Sequence, residues 1–220
     1  MKLARRKTLA ALTGLWLCLV PAVPAEVWRN HFDADGQSRP PAFFDLVVLG
    51  LPGKAAWIVV ADHNPPSAPN QLTQAVSKRP EGSIAAAIRR NVSLEDGKLN
   101  VSLKKLASRE GLVFRMADEK NFLVLLIDGA SGDARLRAYR DGAPVEVARA
   151  TAPSDREWGI LTVSLEGPTI AASWNQKELF RATDPKPVSG RVGVATEGPG
   201  IASFDEFVID TGAAVAKPAQ

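Results

Sequence analysis

Short stretches in which apolar and polar residues alternate follow one another along most of this chain. This alternation has the period of a β-strand with one buried face. Turn signals such as Asp96-Gly97, Asp128-Gly129, Asp141-Gly142 and Asn175-Gln176 separate the stretches, and Asp-Gly favours tight turns. The pattern predicts strands over Phe43–Leu51, Trp57–Ala61, Ile84–Ile88, Leu99–Leu106, Gly111–Met116, Phe122–Asp128, Arg135–Arg140, Val145–Ala150, Ile160–Leu165, Thr169–Trp174, Glu178–Ala182, Arg191–Thr196 and Ser203–Ile209.

The spacing of these strands predicts an all-β fold, an antiparallel sandwich of two sheets. No amphipathic helix separates the strands, and the one candidate helical turn is Val92 to Asp96. Between Glu26 and Gln74 the prolines make long helices improbable, so we expect irregular chain around the first two strands.

The phase of the alternation assigns side chains to faces. Leu161, Val163 and Leu165 share one side of their strand, which predicts a core face. By contrast, Phe122 to Ile127 is apolar at every position. Such a strand is buried on both sides, so we expect another part of the protein to cover that sheet.

The first 25 residues have the composition of a cleavable export signal. Four positive charges precede the apolar run Leu9 to Val20, and Val23-Pro24-Ala25 predicts cleavage before Glu26. An uncleaved membrane anchor is the alternative. Without this segment the chain is nearly neutral and contains no cysteine, since Cys18 is the only one. We therefore expect a periplasmic or secreted protein with one disulfide-free domain over 26–210 and a disordered tail over 211–220.

Several short motifs occur in an order that resembles a known group of proteins. They include Trp57-Ile58-Val59-Val60, Gly111-Leu112-Val113-Phe114-Arg115, Trp174-Asn175-Gln176, Gly190-Arg191-Val192-Gly193 and Phe204-Asp205-Glu206-Phe207. The stretch from about Trp57 to Ile209 resembles the concanavalin A-like jelly-roll lectins and glucanases. In particular, it is similar to exported bacterial 3-keto-disaccharide hydrolase domains. The resemblance implies a jelly-roll sandwich that binds or cleaves carbohydrate.

Few residues are arranged for catalysis. A retaining glucanase of this fold needs paired carboxylates on one strand, usually Glu-x-Asp-x-x-Glu, and this spacing is absent. Asp205 and Glu206 are adjacent and should point to opposite faces. The remaining catalytic candidates are His63 and Asp62, as an acid/base pair in a proline-rich loop. The alternative is that His63 is simply solvated.

Glycan binding needs aromatic platforms and convergent polar groups. The candidates are Trp57, Gln74, Arg115, Asn121, Tyr139 and Trp174. Arg115 lies within an apolar strand and must be paired if it is buried, with Asp128 or Asn121 as the expected partner. A structural ion pair and a ligand-binding role remain open for Arg115.

Three hypotheses follow for the function. The first is an exported module that binds glycan or another envelope component, since aliphatic residues such as Leu123 and Ala195 occupy places that are polar or aromatic in the similar domains. The second is a 3-keto-disaccharide hydrolase-like enzyme, and the third is a structural or protein-interaction domain whose apolar strand is covered by the N-terminal segment. We expect no cofactor, no metal site, no nucleic-acid partner, no membrane span after signal cleavage, and a monomer.

Overall fold

The computed structural model describes residues 25–104, 106, 108–153 and 157–212, and these form fifteen β-strands without a helix. The strands are β1 Val27–Asn30, β2 Phe44–Gly50, β3 Trp57–Ala61, β4 Asn70–Gln74, β5 Ser83–Leu94, β6 Gly97–Lys104, β7 Arg109–Met116, β8 Phe122–Asp128, β9 Asp133–Arg140, β10 Ala143–Thr151, β11 Trp158–Glu166, β12 Thr169–Trp174, β13 Lys177–Thr183, β14 Gly190–Glu197 and β15 Ala202–Asp210.

Two antiparallel sheets form a sandwich, so the predicted fold class is confirmed. Sheet 1 has the order β13-β12-β11-β6-β15-β4-β3, and β1 adds to it by pairing with β15. Sheet 2 has the order β10-β9-β8-β7-β14-β5-β2. Strands adjacent in a sheet are often distant in sequence, as in β7-β14-β5. This arrangement brings residues from opposite ends of the chain onto one face.

The main core lies between the two sheets and consists of the inward halves of the alternating strands. Leu161, Val163 and Leu165 are all buried in it, as the alternation predicted. The packing is tight between the start of β11 and the last residue of β12, because a Cβ on Gly159 would fall 2.0 Å from the ring of Trp174. Only glycine fits at that position.

A second apolar cluster lies on the outward face of sheet 2. Its members, all from strands of that sheet, are Leu49, Ile84, Ala86, Ile88, Val113, Met116, Phe122, Val124, Leu126, Tyr139 and Ala195. Strand β8 supplies both clusters, so the prediction that both faces of this strand are buried is confirmed. The N-terminal segment does not contribute as expected. Phe44 packs in the main core, and β2 joins the sheet at its edge rather than lying over it.

The turns account for most of the hairpins. Asp141-Gly142 joins β9 to β10 and Asn175-Gln176 joins β12 to β13, with positive φ at all four residues. Asp96-Gly97 instead leads from β5 in sheet 2 to β6 in sheet 1. The helical turn predicted over Val92 to Asp96 is wrong, because the chain stays extended to Leu94 after an irregularity near Asn91, whose φ is 58°.

Two strands were not predicted, β1 and β4, both in the proline-rich region. The predicted export signal lies outside the described residues except for Ala25, and so does the predicted tail after Gly212. Within the described part of the chain, no helix has the length and hydrophobicity needed to cross a membrane.

Candidate functional site

The outward face of sheet 2 ends in a group of charged side chains. Strand register brings them together: Arg109 of β7 lies opposite Asp128 of β8 and opposite Glu197 of β14. On β9, Arg135 lies opposite Leu126, and Arg137 is two residues further along. These positions alternate with core residues of the same strands, so their side chains project away from the core.

The centre of this group is a two-pronged ion pair between Arg137 and Glu197. Nη1 and Nη2 of Arg137 donate to the two carboxylate oxygens of Glu197 at 2.8 and 2.7 Å. The Glu197 side chain is 3% exposed, whereas that of Arg137 is 20% exposed. Burial opposes the charge on Arg137, but its hydrogen bonds to Glu197 outweigh burial and raise the guanidinium pKa. Planar bidentate pairs of this kind hold both groups in a fixed orientation.

Arg109 links this pair to the rim. Its guanidinium donates to Glu81 and lies 3.5 Å from Glu197 and 3.7 Å from Asp128. Desolvation disfavours the charge on Arg109, but these carboxylates raise its pKa overall. The Glu81 side chain is 63% exposed. Its contact with Arg109 is therefore a surface ion pair, which contributes little to stability and can give way to a ligand.

These side chains surround a cavity of about 360 Å³, which is within the size range of small-molecule sites. Leu126 supplies an apolar part of the lining, and Asp133 on the rim accepts hydrogen bonds from Arg135 and Arg149. The lining thus alternates fixed donors and fixed acceptors beside one apolar side chain. Such an array can hydrogen-bond a group that both donates and accepts, as vicinal hydroxyls do.

The predicted aromatic platforms lie elsewhere. Trp57 is buried in the main core, 5.6 Å from the ring of Phe204. Trp174 also packs in the core, and its Nε1 donates to the carbonyl of Pro153 at 2.6 Å. Tyr139 is on the outward face of sheet 2 but is buried, stacked on Phe122 with ring centroids 4.4 Å apart.

The polar candidates are also separated. Gln74 is fully buried at the end of β4, opposite Trp57 and Ala202. Asn121 lies in the turn before β8, where its amide donates to Asp118 and its oxygen accepts from the backbone N–H of Asp141. The six predicted ligand-binding residues are therefore not brought to one surface.

Arg115 is fully buried and paired, but not with the predicted partners. Nη1 donates to Asp184 at 3.0 Å, and Nη2 donates to the carbonyls of Gly167 and Glu95. Asp184, also buried, accepts a second hydrogen bond from Arg140 at 2.9 Å. The partner expected on the neighbouring strand was wrong because the backbone of Arg115 has φ 48°, which turns the side chain out of the normal alternation. The contacts are those of a structural ion pair.

The catalytic candidates His63 and Asp62 stay adjacent in the loop after β3. Asp62 accepts a hydrogen bond from Lys104, which lowers the carboxyl pKa, and another from the backbone N–H of His63. His63 is exposed. An Asp62 carboxylate that is hydrogen-bonded to Lys104 remains ionised. Asp62 and His63 therefore form a carboxylate anion next to an exposed imidazole ring.

A second carboxyl group is more strongly perturbed. Asp205 is fully buried on β15 and accepts backbone hydrogen bonds from Ser67 and Glu206, both at 2.7 Å. Burial raises its pKa to about 7, with help from the charges of Glu206 and Asp33. Asp205 holds the loop that carries His63 and Asp62 against sheet 1. Across the described residues, no three or more His, Cys, Asp or Glu side chains are grouped to hold a metal ion.

Sequence reasoning missed the residues of the sheet 2 cavity as a site. A signal was present on β9, where Asp133, Arg135 and Arg137 alternate with Ala134, Leu136 and Ala138. Three charges on one face of a strand mark a polar surface. Nothing in the sequence indicated that Arg109 and Glu197 would join them, since that depends on the pairing of β14 with β7.

No protein-family model matches this chain, and no curated protein matches it either. Solved structures do. The carbohydrate-binding module CBM66 from Bacillus subtilis is similar with a TM-score of 0.56 and 14% identity over 74% of this chain and 96% of the module. A Bacillus subtilis protein of unknown function with a galectin-like fold gives 0.54 and 14%, over 76% and 89%.

A β-glucanase from Bacillus licheniformis is similar with a TM-score of 0.54 and 8% identity, over 83% of this chain and 97% of the enzyme. At these identities the likeness concerns the fold. The chain thus has the concanavalin A-like jelly-roll fold that the motif order predicted. The narrower resemblance to 3-keto-disaccharide hydrolase domains finds no support in these similarities.

Proposed function

We propose that this protein is an exported glycan-binding module and that the sugar binds in the cavity at the end of sheet 2. The observation that carries the proposal is the array of Arg137, Glu197 and Arg109 around a cavity of about 360 Å³. Sugar hydroxyls need donors and acceptors in fixed positions, and this array offers both beside the apolar side chain of Leu126. The similarity in fold to a carbohydrate-binding module supports the same class of ligand.

The charges of the cavity favour binding over glycoside cleavage. Hydrolysis needs one carboxyl group that stays protonated to donate to the leaving oxygen. Asp128 and Asp133 both have lowered pKa values. Burial works against the charge on Asp128, but hydrogen bonds from Ser131 outweigh it, and Asp133 is held by Arg149 and Arg135. Glu197 is fixed by two guanidinium hydrogen bonds. The proposed role is therefore recognition of a neutral polyhydroxylated ligand.

The test is binding of the folded protein to a glycan array, followed by calorimetry with the best ligand. Arg137→Ala should weaken binding by about tenfold to 100-fold, because a bidentate charged group contributes about 1.5–3 kcal/mol. The matched control is Arg181→Ala, which breaks an exposed Arg–Glu pair on sheet 1 and should leave binding unchanged. Folded protein that binds no glycan, or an unchanged Arg137→Ala affinity, would overturn the proposal.

Export belongs to the same proposal. The apolar run Leu9 to Val20 and the site before Glu26 motivate it, and the compartment proposed is the periplasm or the exterior. Mass spectrometry of the protein from the native cell should find an N-terminus at Glu26. An intact Met1 on the mature protein would contradict export by cleavage.

A further inference from the structure

A second cavity lies at the edge of the sandwich, away from the sheet 2 cavity. It has a volume of about 350 Å³ and lies between β1, the loop that follows it and the start of β2. Residues that line it include Arg29, Asn30, Asp35, Phe43 and Arg89. None of its lining residues lines the first cavity. Its volume is also within the range of small-molecule sites.

Phe43 in this cavity is both exposed and strained. Its side chain is 65% exposed, whereas the next residue, Phe44, is buried in the main core. Its φ of 60° is in the left-handed region, which is unfavourable for a bulky L-residue. Exposing a large aromatic ring and holding its backbone in this conformation are two separate costs. Residues with strained backbone cluster at active sites and ligand-binding sites.

The surrounding structure holds Phe43 in place. Its carbonyl accepts hydrogen bonds from the backbone N–H of Arg90 at 2.8 Å and from Nη1 of Arg89 at 3.1 Å. The guanidinium carbon of Arg89 lies 5.2 Å from the centroid of the Phe43 ring. On the other side of the loop, Asp35 accepts from the backbone N–H of Ala42 at 3.2 Å. The ring is therefore presented by a fixed backbone with a cation against it.

We propose that Phe43 and Arg89 form a second saccharide site, which takes the ring of a neutral pyranose. The apolar C–H face of the sugar packs on the exposed part of the Phe43 ring, and its hydroxyls meet the polar groups of Asn30, Asp35 and Arg89. The lining carries cations from Arg29 and Arg89 and anions from Asp33 and Asp35, so a ligand without net charge complements it. A rigid aromatic ring gives this contact area at low entropic cost.

The test uses the full protein with ¹³C-labelled phenylalanine, titrated with neutral pyranose oligosaccharides of glucose, galactose and xylose. The ring signals of Phe43 should shift with one of these probes. Phe43→Ala should weaken that interaction by about fivefold to tenfold, the size expected for one aromatic contact, and Phe43→Trp should restore it. Because Phe43 is exposed, both variants should melt as the wild type does.

The control is Leu46→Ala, which truncates an exposed side chain on β2 that lines neither cavity and should leave the titration unchanged. Arg137→Ala should leave the Phe43 shifts intact while it weakens binding at sheet 2. If Phe43 never shifts although a sugar binds at sheet 2, this second site is overturned and the proposed function stands. If Phe43 shifts and Arg137→Ala has no effect on any binding, the second site stands and the proposed sheet 2 site fails. Phe43→Ala that leaves sugar binding unchanged would also overturn the inference.

Discussion

Replacing Asp184 by asparagine should destabilise this protein far more than a change in a loop after β13 normally does. The substitution keeps the shape of the side chain but removes its charge. Arg115 is 0% exposed, so its cation would then lie in the interior without a counter-ion. Removing one partner of a buried ion pair costs about 3–5 kcal/mol because the other charge is left uncompensated. For a domain of this size that corresponds to a fall in Tm of about 10 °C.

The assay is urea unfolding followed by the fluorescence of the four tryptophans that lie after Ala25. The matched control is Arg140→Ala, which removes the other partner of Asp184 from a side chain that is 35% exposed, at an expected cost of about 1 kcal/mol. Arg115→Met in the Asp184→Asn background should be less destabilising than the sum of the two single changes, since the unpaired cation is then gone. A cost below 1 kcal/mol for Asp184→Asn, or an additive cycle, would refute a structural role for the Arg115 pair.

Two further predictions concern stability. The pKa of Asp205 is raised to about 7 in the folded protein. The folded state therefore binds a proton that the unfolded state releases near pH 4, so stability should fall by up to about 4 kcal/mol between pH 4 and 8. Asp205→Asn should remove this pH dependence of the unfolding free energy in urea titrations across that range, and parallel pH profiles would contradict the assignment. Gly159→Ala should lower the free energy of unfolding by at least about 2 kcal/mol, because its Cβ would overlap the ring of Trp174. Gly142→Ala, in an open turn, should lower it by about 1 kcal/mol. Equal melting temperatures for these two alanine variants would show that the Trp174 contact relaxes freely.

Most of the fold could be predicted from the sequence, because the period-2 alternation is a local property of each strand. Leu161, Val163 and Leu165 show their shared face without knowledge of any other strand. Strand β4 was missed because Asn70 to Gln74 is mostly polar, yet all five residues are buried by the loops and strands around them. The turn at Asn91 and the positive φ of Arg115 were not predictable either, since bulges depend on the partner strand.

The candidate site was harder to predict because its parts come from four separate strands. Arg137 and Glu197 are 60 residues apart in sequence and meet only through the order β9-β8-β7-β14. The predicted platforms Trp57 and Trp174 follow the same alternation as their apolar neighbours, which placed them in the core. A tryptophan in phase with buried aliphatic residues is thus a core residue before it is a ligand contact.

The measurement that tests the central claim most directly is calorimetric titration of the folded wild type and of Arg137→Ala with the neutral glycan selected on an array. The account predicts saturable binding to the wild type and a loss of about tenfold or more in affinity for the variant, with Arg181→Ala unchanged. Equal affinities of wild type and Arg137→Ala, or no binding by folded wild-type protein, would contradict a glycan site on sheet 2.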